Sequence, residues 1–173
     1  MKVLSILAFL ASAAIAQAPQ RTRQQVVAIE DFSHAGMHTG MTLAAFKKQY
    51  AGAKNVTTIA DRSRFGGADF ESWRVDTAEV KARCYFYKGR LGMLLCEVPT
   101  EKGPEFIQKL EAKFGESDSR PPSFSALEQR RLSWMSPHSK KTVTVRVLKE
   151  ADTSKLLYSV SSTDPGRLPE MGR

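Results

Sequence analysis

The chain has 173 residues, 26 Lys+Arg against 18 Asp+Glu, three His, two Cys and 42% hydrophobic residues. That is about one domain's worth of chain. It is too apolar to be wholly disordered, and it lacks a collagen-like, low-complexity or cysteine-dense composition. The formal charge of +8 allows attraction to anionic surfaces and says nothing about fold.

Residues 1–16 read as a secretory signal peptide. Lys2 is the positive region, Val3 to Ala11 is an apolar run broken only by Ser5, and Ala14-Ile15-Ala16 is the small-x-small cleavage pattern. The run falls short of the roughly 20 apolar residues a bilayer span needs. No Cys follows it to carry a lipid anchor, and no later segment is apolar enough to span. The expected mature protein is exported, periplasmic or secreted. Cleavage removes one Lys and no acid, so the charge falls by one.

Residues 17–40 read as an N-terminal extension. Gln17 to Arg23 has no expected fixed structure, Val26 to Ile29 is a candidate edge strand, and Phe32 to Gly40 is a loop. Residues 41–162 read as a single α+β domain. Its first helix begins at Thr42, whose hydroxyl suits an N-cap. Met41 and Phe46 have the spacing of a hydrophobic staple, and Gly52 ends the segment. Asp61 to Gly67 is a connection, and Phe70 to Val75 a strand.

A hairpin follows, with arms Ala82–Lys88 and Leu91–Val98 and its turn at Lys88-Gly89. Apolar residues on both faces of its arms imply a central, covered place in the sheet. The second helix starts near Gly103-Pro104, carries the stripe Phe106, Ile107, Leu110 and Phe114, and stops at Gly115. Ser117 to Ser125 is a loop. Arg131–Met135, Thr142–Leu148 and Lys155–Ser161 close the domain as strands, and 163–173 is a flexible tail. The expected fold is an antiparallel sheet with two helices on one face, in the order helix, three strands, helix, three strands.

Export favours a disulfide between Cys84 and Cys96. A two-residue turn would pair Tyr87 with Arg90 and Cys84 with Met93, placing the cysteines on opposite faces. A longer loop would set them directly across from one another. The sequence leaves the register open, and with it the choice between a bridge and two buried thiols.

Gly40-Met41-Thr42 leading into Phe46 and Tyr50, together with the aromatic strand and Lys88-Gly89-Arg90-Leu91, resembles beta-lactamase-inhibitor-protein-like domains. The small lipoproteins of the outer-membrane assembly machinery share that fold. The resemblance covers Gly40 to Gly52 and one hairpin. The chain departs from the pattern in having no lipid-attachment Cys, and in a second helix without the Gly-Met-Thr start. The resemblance implies a non-catalytic, exported, protein-binding module and names no partner.

No Gly-x-Ser-x-Gly elbow, phosphate loop, His-Glu-x-x-His or Cys-x-x-Cys occurs. No catalytic residue, cofactor or metal is assigned. Asp31, His34 and His38 are the only candidate metal cluster, and Gly36 and Gly40 argue against the helix that would align the two His. Cys84 would need a base, with His138 the distant candidate. Trp73, Trp134 and Tyr158 read as core or, less simply, as a ligand groove.

The remaining signal is basic: Arg130, Arg131, Lys140, Lys141 and Arg146 cluster on and between the closing strands. They read either as a patch for phosphate or carboxylate groups or as a solvated face that discourages edge association. The leading expectation is a non-catalytic module that binds an envelope or extracellular protein. The alternatives are a binder of anionic polymers or lipids through the basic face, and a hydrolase without a recognisable motif. Nucleic acid is a poor candidate partner for an exported chain with no recognition motif.

Overall fold

A computed structural model describes residues 19–65, 67–118, 128–150 and 155–168. The signal peptide, positions 119–125 of the expected loop, and the last five residues of the tail lie outside them. The elements run α1 (Arg23–Glu30), β1 (Ser33–His34), β2 (Met37–His38), α2 (Leu43–Gln49), β3 (Lys54–Asn55), α3 (Ile59–Phe65), β4 (Phe70–Asp76), β5 (Lys81–Tyr87), β6 (Arg90–Val98), α4 (Gly103–Phe114), β7 (Glu128–Met135), β8 (Thr142–Lys149) and β9 (Leu156–Thr163).

The class is α+β. Strands β3 to β9 form one seven-stranded antiparallel sheet in the order β3-β4-β5-β6-β9-β8-β7. The observed order contains α2, β4–β6, α4 and β7–β9, but it is not the expected run of helix, three strands, helix, three strands. The chain also builds α1, a β1–β2 hairpin, β3 and α3. Two meanders meet at the centre, where β6 pairs with β9. Helix α4 carries the chain from the middle of the sheet to the far edge, from which β7, β8 and β9 return.

Both expected helices start where their caps place them and α4 stops at Gly115, but α2 ends at Gln49 with Tyr50 as its C-cap, before the expected stop at Gly52. Thr42 Oγ accepts the Ala45 N–H at 3.1 Å, and the staple residues Met41 and Phe46 are buried. Pro104 sits in the first turn of α4, and Gly115 leaves it at φ 81°, where a side chain would be strained. Ile107, Leu110 and Phe114 are buried as the stripe requires.

Two further helices replace an edge strand and a connection. Thr22 and Gln25 cap α1 reciprocally, so Val26 and Ile29 share a buried helical face. Thr58 and Asp61 do the same at α3, with bonds of 3.1 and 3.0 Å. Positions 19–40 of the expected extension are therefore built into the domain, since Ile29, Phe32 and Met37 belong to its core. Arg21 pairs with Asp118 at 3.1 Å, so the segment before α1 is fixed as well. The start of the expected tail is also ordered: Pro165–Arg167 forms a 3-10 turn capped by Asp164, and the Asp164 N–H reaches Gly92 O at 2.8 Å.

The core lies between the sheet and α1, α2 and α4. Phe46 of α2 meets Phe86 at 5.1 Å and Trp73 at 6.3 Å between ring centroids. Phe114 of α4 meets Phe32 at 6.0 Å and Trp134 at 5.7 Å. Trp134 is fully buried, and its indole N–H donates to Gly115 O at 2.9 Å. Trp73, Trp134 and Tyr158 all lie on this helix-covered face, as core positions.

The turn of the central hairpin has two residues, with Lys88 and Gly89 both at positive φ and Tyr87 opposite Arg90. One irregularity between Tyr85 and Phe86 leaves Gly92 unpaired with β5 and shifts the register, so Cys84 faces Leu94 and Ala82 faces Cys96. Neither register drawn from sequence is realised. The two cysteines share the core face as diagonal neighbours, and both are free, buried thiols. No helix among the described residues is long and apolar enough to cross a membrane.

Candidate functional site

Side chains alternate across a strand. The register that turns Cys84, Leu94, Ser162, Val143 and Trp134 toward the helices turns Arg83, Leu95, Ser161, Thr144 and Ser133 to the other face. Among the described residues only α3 lies over that second face, and only at one end. Thr57 Oγ accepts the Ser72 N–H at 2.8 Å, Asp61 of α3 lies 3.6 Å from Arg83, and Phe70 and Ser72 are buried beneath. No other helix among the described residues lies over the rest of the face. The apolar residues on both sides of β5 and β6 implied at least partial cover of both faces, and on this face Met93 and Leu95 are half-buried.

Three kinds of side chain make up this open face. Leu95, Leu148 and Leu157 line an open cavity of about 950 Å³, and Leu157 is 38% exposed. Ser133, Thr142, Thr144, Ser159, Ser161 and Thr163 form a hydroxyl band over β7, β8 and β9, with Ser133 and Thr144 bonded at 3.0 Å. Charged groups surround both. Glu128, itself buried, holds Arg131 with two bonds of 2.7 and 2.9 Å. Arg146 lies directly across from Arg131, is exposed, and has no acidic partner among the described residues.

The five basic residues that the sequence offered either as one patch or as a solvated face do not converge. Arg131 and Arg146 are cross-strand neighbours on the open face. Arg130 points to the helix side, where it meets Glu111 of α4 at 3.6 Å. Lys141 donates to the backbone carbonyl of Glu30, at the end of α1. Lys140 is exposed in the β7–β8 turn at φ 59°. Closeness in sequence misled because Arg130 and Arg131, being consecutive, must face opposite sides of the sheet.

The cysteines are poor nucleophiles. Burial pushes the Cys96 thiol up to about 12, and burial with the neighbouring Cys96 pushes Cys84 higher still. Cys84 Sγ lies 3.5 Å from Met37 Sδ. His138 stands beyond β7, four strand spacings from β5, about 19 Å away. His34 and His38 are adjacent across the β1–β2 hairpin, His34 paired with Met37 and His38 with Ser33, so they face opposite sides. His34 rests edge-on against Phe106, and burial lowers its pKa. Among the described residues no three His, Cys, Asp or Glu side chains gather as a metal site.

One polar cluster has the composition of a hydrolytic site without its geometry. Ser136 Oγ donates to Glu30 Oε1 at 2.6 Å and accepts the Ser139 N–H at 3.3 Å. The hydroxyl proton is thus directed at a carboxylate whose lowered pKa makes it a weak base, with no imidazole between them to take the proton. Ser136 and Ser139 hold the Glu30 carboxyl below its usual value, with His138 and Lys141 adding to this. The cluster clamps the end of α1 to the β7–β8 turn.

No family model, curated protein or solved structure matches this chain. The likeness of Gly40–Gly52 and the central hairpin to the outer-membrane assembly lipoproteins therefore rests on those residues alone. The sequence reading missed the leucine patch, although its signal was present: apolar residues at Leu95, Leu148 and Leu157 stand out of phase with the buried positions of their strands.

Proposed function

We propose that this chain is an exported, non-catalytic binding module whose open sheet face engages another protein in the cell envelope or outside the cell. The observation that carries the reading is the open cavity lined by Leu95, Leu148 and Leu157 among charged residues, on the face over which the described residues place no helix but α3. Three half-exposed leucines grouped on one sheet face cost solvation free energy that a partner would recover. The resemblance at Gly40–Gly52 supports the same class of function, and the signal-peptide pattern at residues 1–16 supports the location.

The test is saturable capture from envelope extract by the tagged protein recovered after export. The wild type and Lys109→Ala, on the exposed side of α4, should retain the same partner, and Leu157→Glu should lose it. Equal capture by all three would refute the role of the open face. The anionic-polymer alternative is weaker than its sequence signal, because three of its five residues lie away from the open face.

A further inference from the structure

Arg146 breaks a local rule of sheet construction. Like charges directly opposite each other destabilise an antiparallel pair, and Arg146 faces Arg131. Glu128 holds the Arg131 side chain with both carboxylate oxygens. On its other side Arg146 pairs with Ser159, and beyond that lies Glu97, whose carboxylate is 3.9 Å from Lys81. The Arg146 guanidinium is therefore left without a carboxylate among the described residues. Such local conflicts are expected where a sequence serves a function rather than stability.

What surrounds Arg146 indicates what it takes. Leu148 is two positions along β8 on the same face, and Leu157 is its cross-strand partner. Arg146, Leu148, Leu157 and Leu95 all line the one open cavity. Resting on the reading that this face binds protein, we propose that the site receives an acidic, leucine-type stretch of a partner polypeptide. Arg146 takes a carboxylate in a two-pronged bond, with the Ser159 hydroxyl beside it, and the leucines take the apolar side chain. The two subsites are about 7 Å apart, one alternate-residue step in a strand, which fits Glu and Leu two positions apart in an extended partner.

A peptide fits better than an anionic membrane or polymer. Glu79, Glu97 and Glu101 are interspersed with Lys81, Arg83 and Lys155 around the same cavity, a mixed-sign rim rather than the uniformly basic one that a negative surface would select. The leucines lie on an open face, whereas a bound acyl chain is enclosed on most sides.

The probe is a ten-residue blocked peptide alternating Leu and Glu, titrated into the ¹⁵N-labelled chain recovered after export and followed by amide shifts. A Leu-Lys peptide and phosphatidylglycerol vesicles are the comparison arms. Saturable shifts centred on Arg146, Leu148 and Leu157 are expected with Leu-Glu only. Arg146→Glu should weaken Leu-Glu binding at least tenfold and confer binding of Leu-Lys, a reversal that misfolding cannot produce. Absence of saturable Leu-Glu binding, Leu-Glu binding unchanged by Arg146→Glu, or binding to vesicles alone would each overturn the proposal. The envelope-capture assay separates its failure from that of the wider reading. If Arg146→Glu captures normally and Leu157→Glu does not, the open face still binds protein and the carboxylate subsite is wrong. If both capture normally, the wider reading fails too.

Discussion

Truncating Val26 and Val27 one at a time tests whether the segment before the first hairpin is a helix. In α1, Val26 and Ile29 lie on one buried face, 8% and 0% exposed, while Val27 is 47% exposed. In an edge strand Val27 and Ile29 would share a face and Val26 would point away. Val26→Ala removes two methyl groups from a packed site, worth about 2 kcal/mol with the cavity included. Val27→Ala should stay within about 0.5 kcal/mol, because the lost contact is offset by alanine's better helix propensity. Ile29→Ala is severe on either arrangement, about 3 kcal/mol, and serves as the positive control. Urea melts followed by Trp fluorescence measure all three, and Trp134, buried against Phe114, provides the signal. In thermal melts Val26→Ala should lower Tm by about 4–8 °C. A cost for Val27→Ala equal to or above that for Val26→Ala would refute the helix.

Four further outcomes follow from the packing. Gly103→Ala places a methyl 2.5 Å from the Tyr158 ring and should destabilise by about 1–3 kcal/mol in urea; no loss would mean α4 does not rest on β9 there. Ser136→Ala should cost about 1–2 kcal/mol at pH 7 by removing a bond to the Glu30 carboxylate. Because the folded state lowers the Glu30 pKa, the clamp contributes fully above the ordinary value of 4.5 and is lost as pH falls below it, so the penalty should shrink in acid melts. Both thiols should resist an aromatic disulfide reagent at pH 8 and react once guanidinium unfolds the chain; stability should fall as pH rises from 9.0 toward about 12, where the unfolded thiols ionise first. Arg146→Thr should leave stability unchanged or raise it by up to about 1 kcal/mol, by relieving the repulsion from Arg131; a clear loss would mean Arg146 serves the fold.

Much of this architecture is legible in the sequence where one strong signal acts locally. Thr42 with Met41 and Phe46 announces α2, Pro104 and Gly115 bracket α4, and the Val–Thr alternation of Val143 to Val147 marks β8. The missed helices are short, at eight and seven residues. Val26-Val27 carries β propensity, which the Thr22–Gln25 box overrides only once Ile29 packs in the core. The α3 box sits in a polar segment with no apolar stripe to draw attention to it.

The site was less legible, because it depends on long-range pairing. Chain order does not show that β9 inserts next to β6, and this pairing is what places Ser161 beside Leu95 and Leu157 across from Leu148. Nor does it show the unpaired Gly92 that brings Cys84 and Cys96 onto one face. A dense run of basic residues looks like a patch in one dimension. In the sheet, period-two alternation splits Arg130 from Arg131, and a turn diverts Lys141 to α1.

The central claim is that the partner sits on the open face of the sheet. The most direct measurement places a photo-crosslinking benzoylphenylalanine at Ser161, in the middle of that face, or at Lys109 on the outer side of α4, in cells that export the chain. A discrete, ultraviolet-dependent crosslink to one protein from position 161 and none from position 109 is the predicted result. Crosslinks from 109 alone, or from neither position, would contradict the account.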